Sequence, residues 1–266
     1  MNARESTFTP ALDVERTIAH VVSAIESAER GVEPFEHLRI TNVFPADVYA
    51  AMLEAMPEAR DYRRMSGRAR EAKVTRTKID LFPECIRHLP KAKRGIWDLV
   101  GEALCSEPVR EAWKKRLASG LERRFGAEYG AVGMYPVPIL TRDIAGYKIG
   151  VHPDTRWKGM TIQLYLPRDE SIAHVGTIFN RKIGDKKYEV GRRMSFSPNT
   201  GYAFAVGQDT YHSVDVVGPE VNTRDSILLT YFVDQTFVQK TQNRWKRFAN
   251  SMRASAQAIG RMREAG

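Results

Sequence analysis

Three residues with metal-binding side chains are spaced so that they could hold one metal ion. His152 and Asp154 are two positions apart, so both side chains point to one face of an extended strand. His212, about sixty residues later, can supply a second imidazole from a partner strand. Two imidazoles and one carboxylate leave the opposite side of the metal open, which is the donor set of non-haem Fe(II) sites. The spacing therefore predicts an iron site at His152, Asp154 and His212.

Short apolar segments surround these residues and have the composition of β-strands. They are rich in β-branched and aromatic residues, and glycine, proline, asparagine and aspartate separate them. Their recurrence is typical of an all-β barrel or sandwich. The segments cover residues 147–151, 160–166, 175–179, 202–206, 213–217 and 226–233.

The last segment is preceded by an arginine and begins with a serine, Arg224 and Ser226. The two positions have the same parity on a strand, so both side chains can point into the mouth of a barrel. We therefore expect a guanidinium and a hydroxyl side by side in that mouth.

Several motifs follow one another in a fixed order between residues 131 and 235. A His-x-Asp pair comes first, then a distant histidine, then Arg-x-Ser on the predicted last strand. This region resembles the 2-oxoglutarate- and Fe(II)-dependent oxygenases, in particular their prolyl-hydroxylase-like bacterial members, whose signature has that order. The matching stretches are GYKIGVHPDT at 146–155, LYLP at 164–167, GT at 176–177, HSV at 212–214 and RDS at 224–226.

The resemblance implies a role for each of these residues. His152, Asp154 and His212 would hold Fe(II) and leave positions for 2-oxoglutarate and O2. The far carboxylate of 2-oxoglutarate would pair with Arg224, with the Ser226 hydroxyl as a neighbouring donor. Tyr165 would add a further hydrogen bond to the same carboxylate. The implied reaction converts 2-oxoglutarate to succinate and CO2 while a substrate C–H bond is oxidised.

Asp154 distinguishes between subclasses of that superfamily. Related halogenases have glycine or alanine where this chain keeps a carboxylate, so the resemblance favours a hydroxylase. Desaturation, epimerisation and ring closure use the same ligands and stay open. A macromolecular substrate, either a protein side chain or an alkylated nucleic acid base, also stays open. A protein of a different class also stays open, namely a basic binding module that has lost catalysis.

The sequence predicts one structural domain of the α+β class that is mainly β. A chain of 266 residues with 42% hydrophobic content can bury a full core. Residues 1–130 carry apolar residues at helical spacing and are predicted to form a helical support region. Residues 131–235 are expected to form a double-stranded β-helix, the jelly-roll core of cupin-like proteins. Residues 236–266 are predicted to form a basic helix.

This last helix has an apolar stripe at steps of three and four. We expect the stripe to dock on the domain rather than on a membrane. Its members are Trp245, Phe248, Met252, Ala256 and Ile259.

The positive charge suggests an anionic substrate. Forty-one basic residues against thirty-two acidic ones give a net charge of +9, concentrated in residues 60–78 and in the final helix. Residues 60–78 lack clear periodicity, so we expect a mobile lid that binds a small anionic metabolite, the alternative being a solvated loop. Nucleic acid is disfavoured because the basic residues are not interleaved with exposed aromatics and no recognition module is present. The predicted substrate contacts are Arg63, Arg64, Arg68 and Arg70.

The remaining features concern the compartment. Two cysteines without a pairing motif suit a reducing cytosol, so a cytoplasmic location is expected. No apolar run approaches the roughly eighteen residues needed to span a bilayer, so we expect no membrane partner. The sequence leaves the oligomeric state open.

Overall fold

In the computed structural model, which describes residues 13–64 and 75–264, the first helix begins at a side-chain cap. The Asp13 carboxylate accepts hydrogen bonds from the backbone N–H groups of Glu15 and Arg16. This satisfies donors that have no partner inside the helix. The helix, α1 (Val14–Glu26), then buries Val21 and Ile25.

The helices between residues 46 and 125 also bury apolar residues. Together they cover one face of the larger sheet, and the shared core includes Trp97 and Trp113 of two helices with Ile162 and Leu229 of two strands. Short 3-10 turns lie at Ala59–Asp61, Ala127–Ala131 and Glu170–Val175. The remaining helices are α2 (Ala46–Glu54), α3 (Pro83–Ile86), α4 (Lys91–Cys105), α5 (Glu107–Arg116), α6 (Ala118–Phe125) and α7 (Phe237–Glu264).

Two antiparallel sheets are formed by the described strands, and the larger has eight strands in the order β1-β2-β10-β7-β12-β5-β4-β3. Its residues alternate between two environments. Ile162 and Leu164 face the helices, whereas Gln163 and Tyr165 face the other way. The strands are β1 (Glu29–Gly31), β2 (His37–Thr41), β3 (Arg63–Arg64), β4 (Arg76–Asp80), β5 (Met134–Asp143), β7 (Lys158–Tyr165), β10 (Thr200–Ala205) and β12 (Arg224–Val233).

The smaller sheet has four strands in the order β6-β11-β8-β9. They are β6 (Ile149–His152), β8 (Ile178–Gly184), β9 (Lys187–Arg193) and β11 (His212–Val214). Phe179 and Val214 of this sheet share a buried cluster with Tyr165, Tyr202 and Phe204 of the larger one. The inner faces of the two sheets therefore enclose a second core, separate from the core under the helices.

The first 130 residues are less purely helical than the sequence predicts. Four short strands, β1 to β4, lie in this region and extend the larger sheet at both of its edges. β4 pairs with β5, and β2 pairs with β10. The N-terminal region thus supplies sheet edges as well as supporting helices.

The apolar stripe of α7 faces solvent, so the prediction that it docks on the domain was wrong. Trp245 is 65% exposed and Phe248 55%. The opposite, polar side of the helix makes the contacts: Arg247 pairs with Glu84, and Arg261 donates to Asp61 at 3.0 Å. Among the described helices, none is long and apolar enough to cross a bilayer.

Candidate active site

The three predicted metal ligands lie together at one end of the smaller sheet. His152 ends β6 and His212 begins β11, and the two residues are directly opposed partners in the pairing of these strands. Their ring centroids are 4.4 Å apart. Asp154 follows two residues after His152, and one ligand atom from each of the three residues lies within 4.8 Å of the others. This grouping could hold one metal ion.

Backbone carbonyls fix the state of both imidazoles. His152 Nδ1 lies 2.9 Å from Gly150 O, and His212 Nδ1 lies 3.0 Å from Thr210 O. Because a carbonyl only accepts, each Nδ1 carries a hydrogen, and in the neutral ring the free lone pair lies on Nε2. Burial lowers the pKa of His212 to about 4, despite the attraction of Asp154. His212 is therefore neutral at pH 7, the form that binds metals.

The Asp154 carboxylate is held on both oxygens. Lys158 Nζ donates to Oδ1 at 2.5 Å, and Thr161 Oγ1 donates to Oδ2 at 2.6 Å. Burial opposes ionisation, but the charge of Lys158 and these hydrogen bonds keep the pKa of Asp154 below its ordinary value. A carboxylate oxygen has two lone pairs, so one on each oxygen stays free for a metal. Two imidazoles, of which His212 is neutral, and an ionised carboxylate form a donor set that suits Fe(II).

Arg224 lies completely buried between the two sheets and pairs with an aspartate that the sequence analysis did not identify. Its Nη1 donates to Asp143 Oδ2 at 2.8 Å, and its Nε donates to Val175 O at 2.7 Å. Nη2 lies 3.4 Å from Thr177 Oγ1. The other N–H groups of this guanidinium have no partner among the described residues, so they are free to bind an anion.

A second arginine, Arg76 of β4, binds the same carboxylate. Its Nε and Nη2 donate to Asp143 Oδ1 and Oδ2 at 2.5 and 2.7 Å. Asp143 is completely buried, and its single negative charge faces the two positive charges of Arg76 and Arg224. The interior therefore carries an excess positive charge beside the free N–H groups of Arg224.

Ser226 and Tyr165 lie on the same inner face as Arg224, within a network of polar side chains. Ser226 Oγ is 2.9 Å from both Thr141 Oγ1 and Gln163 Nε2. The Tyr165 hydroxyl accepts from the Thr177 backbone N–H at 3.1 Å. This network was missed from the sequence, although the alternation of polar residues at 161, 163 and 165 is a signal for it.

Gly176 allows the backbone beside Arg224 to pack closely. A Cβ atom at this position would overlap the carbonyl oxygen of Met194. Any larger residue would therefore push apart the two segments and displace Val175 and Thr177, which hold the Arg224 guanidinium.

Of the predicted substrate arginines, the two that the structure describes, Arg63 and Arg64, form β3 at one edge of the larger sheet. The Arg63 guanidinium is only 10% exposed and pairs with Asp80, beside Gln257 and Arg261 of α7. A cation held in this way does not agree with the prediction that Arg63 binds substrate. Arg64 lies exposed on β3, which pairs with β4 as a sheet edge. Arg68 and Arg70 lie outside the described residues.

A cavity of about 690 Å³ borders the metal-binding group at Asp154. Pro153 and Asp154 form part of its wall, as do Thr210 and Tyr211, which precede His212. We call this space the mouth cavity. It places room for a small molecule directly beside the metal-binding group.

Comparison with known proteins identified similar solved structures. A prolyl-4-hydroxylase from Pseudomonas putida has a TM-score of 0.47 at 16% identity, over 82% of this chain and 99% of that one. An oxidoreductase of the 2OG-Fe(II) oxygenase family from Burkholderia pseudomallei has a TM-score of 0.47 at 12% identity, over 81% and 89% of the chains. A Trichoplax adhaerens prolyl hydroxylase, in complex with a peptide of a hypoxia inducible factor, has a TM-score of 0.48 at 12% identity, over 83% and 90%.

No protein-family model matches the chain, and no curated protein matches its sequence. The TM-scores of 0.47 and 0.48 correspond to a loose likeness in shape.

Proposed function

We propose that the chain is an Fe(II)- and 2-oxoglutarate-dependent dioxygenase that hydroxylates a C–H bond of a small, anionic metabolite. The observation that carries this proposal is the grouping of His152, Asp154 and His212. Their ligand atoms lie within 4.8 Å of one another, and both imidazoles present Nε2. This is the facial donor set that leaves metal positions open for other ligands.

We also propose a fold for the core and a division of the chain into three parts. The two antiparallel sheets with a shared aromatic core support a double-stranded β-helix over residues 131–235. Residues 1–130 would then support this core with helices and with the edge strands β1 to β4. Residues 236–266 would add the basic helix. All three parts would form one structural domain.

The iron would supply the oxidising chemistry at His152, Asp154 and His212. The chain's own residues would hold the reacting groups in place. The carbonyls of Gly150 and Thr210 fix the two imidazole tautomers, and Lys158 and Thr161 fix the Asp154 carboxylate. Each ligand would thus meet the ion already oriented.

Arg224 would bind the far carboxylate of 2-oxoglutarate through its free N–H groups. Asp143, Val175 and Thr177 hold the guanidinium, so its orientation is set before the cosubstrate arrives. Ser226 and Tyr165 would bind the same carboxylate, each by exchanging one of its present hydrogen bonds for one to the carboxylate. The enclosing aromatic residues, including Phe179 and Phe204, exclude water from the reaction.

The mouth cavity supports a small substrate. Its volume of about 690 Å³ lies within the range of roughly 300–1,000 Å³ that small-molecule sites occupy. The retained carboxylate of Asp154 supports hydroxylation over halogenation, as the family resemblance implies.

The test is Fe(II)-dependent conversion of 2-oxoglutarate to succinate by the purified chain, together with product detection by mass spectrometry after incubation with a metabolite extract. We expect turnover with Fe(II) that stops with a chelator and in Asp154→Ala. Turnover that continues without iron would rule the proposal out. A product found only with peptides or alkylated DNA would replace the small substrate with a macromolecule.

A further inference from the structure

We propose that Arg124 and Arg156 bind an anionic group of the substrate, a carboxylate or a phosphate, inside the mouth cavity. This inference rests on the proposed function and names the substrate-binding residues of the same site. It places the anion contacts outside residues 60–78, on one arginine of α6 and on one arginine of the loop that follows Asp154.

The position of the cavity makes it a place for substrate. Asp154 contributes to the cavity wall, and Thr210, whose carbonyl holds His212, contributes to the same wall. An anion bound to arginines in this wall would leave the rest of the molecule beside the metal ligands. The cavity therefore connects the place where the anionic group would bind with the place where the substrate would react.

Arg124 is a partly buried cation in that wall without a nearby acid. Its guanidinium donates to the backbone carbonyls of Arg156, Lys158 and Val206. Burial alone lowers its pKa, with no carboxylate to oppose the effect. A desolvated positive charge whose contacts are all neutral gains strongly from an anion.

Arg156 adds a second charge at the same place. Its carbonyl accepts from Arg124, which brings the two residues together, and its exposed side chain forms no ion pair with a described residue. The third arginine of the cavity, Arg123, is already paired with Glu36 at 3.0 Å. Arg124 and Arg156 are therefore the pair available for a ligand.

The acidic residues that line the cavity do not neutralise the charges of Arg124 and Arg156. Glu36 is neutralised by Arg123 and Arg30. Asp154 belongs to the metal-binding group, which leaves Asp209 as the one remaining acid among the described lining residues. Two unpaired arginines against one aspartate give a positive balance, and a bound Fe(II) would increase it.

Apolar residues also line part of the cavity. Phe35, Leu117 and Ala205 contribute to it. A cavity that offers both an arginine pair and apolar side chains suits a molecule with one anionic end and a hydrocarbon or ring portion. The hydrocarbon portion would carry the C–H bond that reacts.

The test is protection of arginine from phenylglyoxal, measured for each residue by peptide mass spectrometry on the full chain. Inorganic phosphate and acetate are the two probes, with chloride at matched ionic strength as reference. We expect phosphate or acetate to slow modification of Arg156 several-fold, and which probe protects better separates a phosphate from a carboxylate ligand. Arg253, exposed on α7, is the internal control and should react at an unchanged rate. Equal rates at Arg156 in all three salts would overturn the proposal, as would equal protection of Arg253.

A substitution provides a second, independent measurement. Arg156→Ala should weaken the better probe's affinity, measured by calorimetry, by about tenfold, the loss expected for one charge-assisted contact. Arg253→Ala should leave it unchanged. Arg124 is not substituted because its removal would free three carbonyls. Anion binding at Arg156 without any 2-oxoglutarate turnover would contradict the proposed function alone, whereas turnover without anion binding would contradict only this inference.

Discussion

Arg224 and Asp143 form an ion pair of 2.8 Å in which both side chains are completely buried. They are also directly opposed partners in the pairing of β12 with β5, and Asp143 is at the same time the partner of Arg76 in β4. The three residues thus form a row across three neighbouring strands. A shift of β5 against both of its neighbours would break both ion pairs at once.

The first prediction concerns the carboxylate in the centre of this row. Asp143→Asn should destabilise the fold by about 3–5 kcal/mol, because it leaves two buried guanidinium groups facing each other without a counter-charge. Urea unfolding followed by circular dichroism measures this. Asp215→Asn, whose partner Arg193 is exposed, should cost little. Equal stability of the two variants would contradict the role of Asp143.

The second prediction concerns binding of 2-oxoglutarate. Arg224→Ala should weaken it by about 2–5 kcal/mol, which is tens- to thousands-fold, since a buried charge pair is lost. Arg224→Lys should recover only part of the loss because an ammonium lacks the planar fork. Anaerobic titration of the Fe(II) protein, followed by its visible absorption band, measures the affinity. An unchanged dissociation constant in Arg224→Ala would exclude this residue as the anchor, and Arg253→Ala is the control.

The third prediction concerns the metal ligands. Thr161→Val keeps the shape of the side chain but removes its donor to Asp154, so iron affinity should fall by the roughly 10–100-fold typical of outer partners. Asp154→Ala removes a ligand and should cost more. Iron content after equilibrium dialysis measures both. If Asp154→Ala bound iron as well as the exposed control Asp169→Ala does, the assignment of the ligand would be wrong.

The fourth prediction is a loss of stability in mild acid through His37. This ring is completely buried among Phe35 and Phe179, and burial lowers its pKa below 6.5. The unfolded chain therefore binds a proton at a higher pH than the folded chain does. The stability from His37 is present above about pH 6.5 and is lost as the pH falls from there through the folded pKa.

Unfolding free energies at about pH 7.5 and about pH 5.5 measure this effect. His37→Phe keeps an aromatic ring of similar size, and its stability should fall less between these two values than that of the native chain. His174→Phe is the matched control, since this ring is 59% exposed. An identical fall in the native chain and in His37→Phe would remove His37 as a cause.

The period of two along a strand and the chain order of the motifs were enough to predict that three metal-binding side chains come together. His152, Asp154 and His212 do converge, and the predicted segments 160–166 and 226–233 match β7 and β12 closely. The strand bounds depend on local chain geometry, whereas the meeting of His152 and His212 was predicted from the order of the motifs.

The row of Arg76, Asp143 and Arg224 could not be predicted in the same way. Which residues lie opposite each other depends on the register between strands distant in sequence. The prediction of which side of α7 faces the domain was wrong for a related reason. Helical periodicity groups Trp245 with Phe248, but it does not reveal that acids on the domain, Glu84 and Asp61, bind the opposite side of the helix.

The direct opposition of His152 and His212 across two strands has a consequence for the stability and turnover of the protein. An ion held by both would be a cross-link between β6 and β11, two neighbouring strands of the four-stranded sheet. A ligand that binds only the folded state at a hundred times its dissociation constant adds about 2.7 kcal/mol of stability. Newly made chains in iron-starved cells would therefore open more often and be degraded first, so that the abundance of this protein would follow the iron supply.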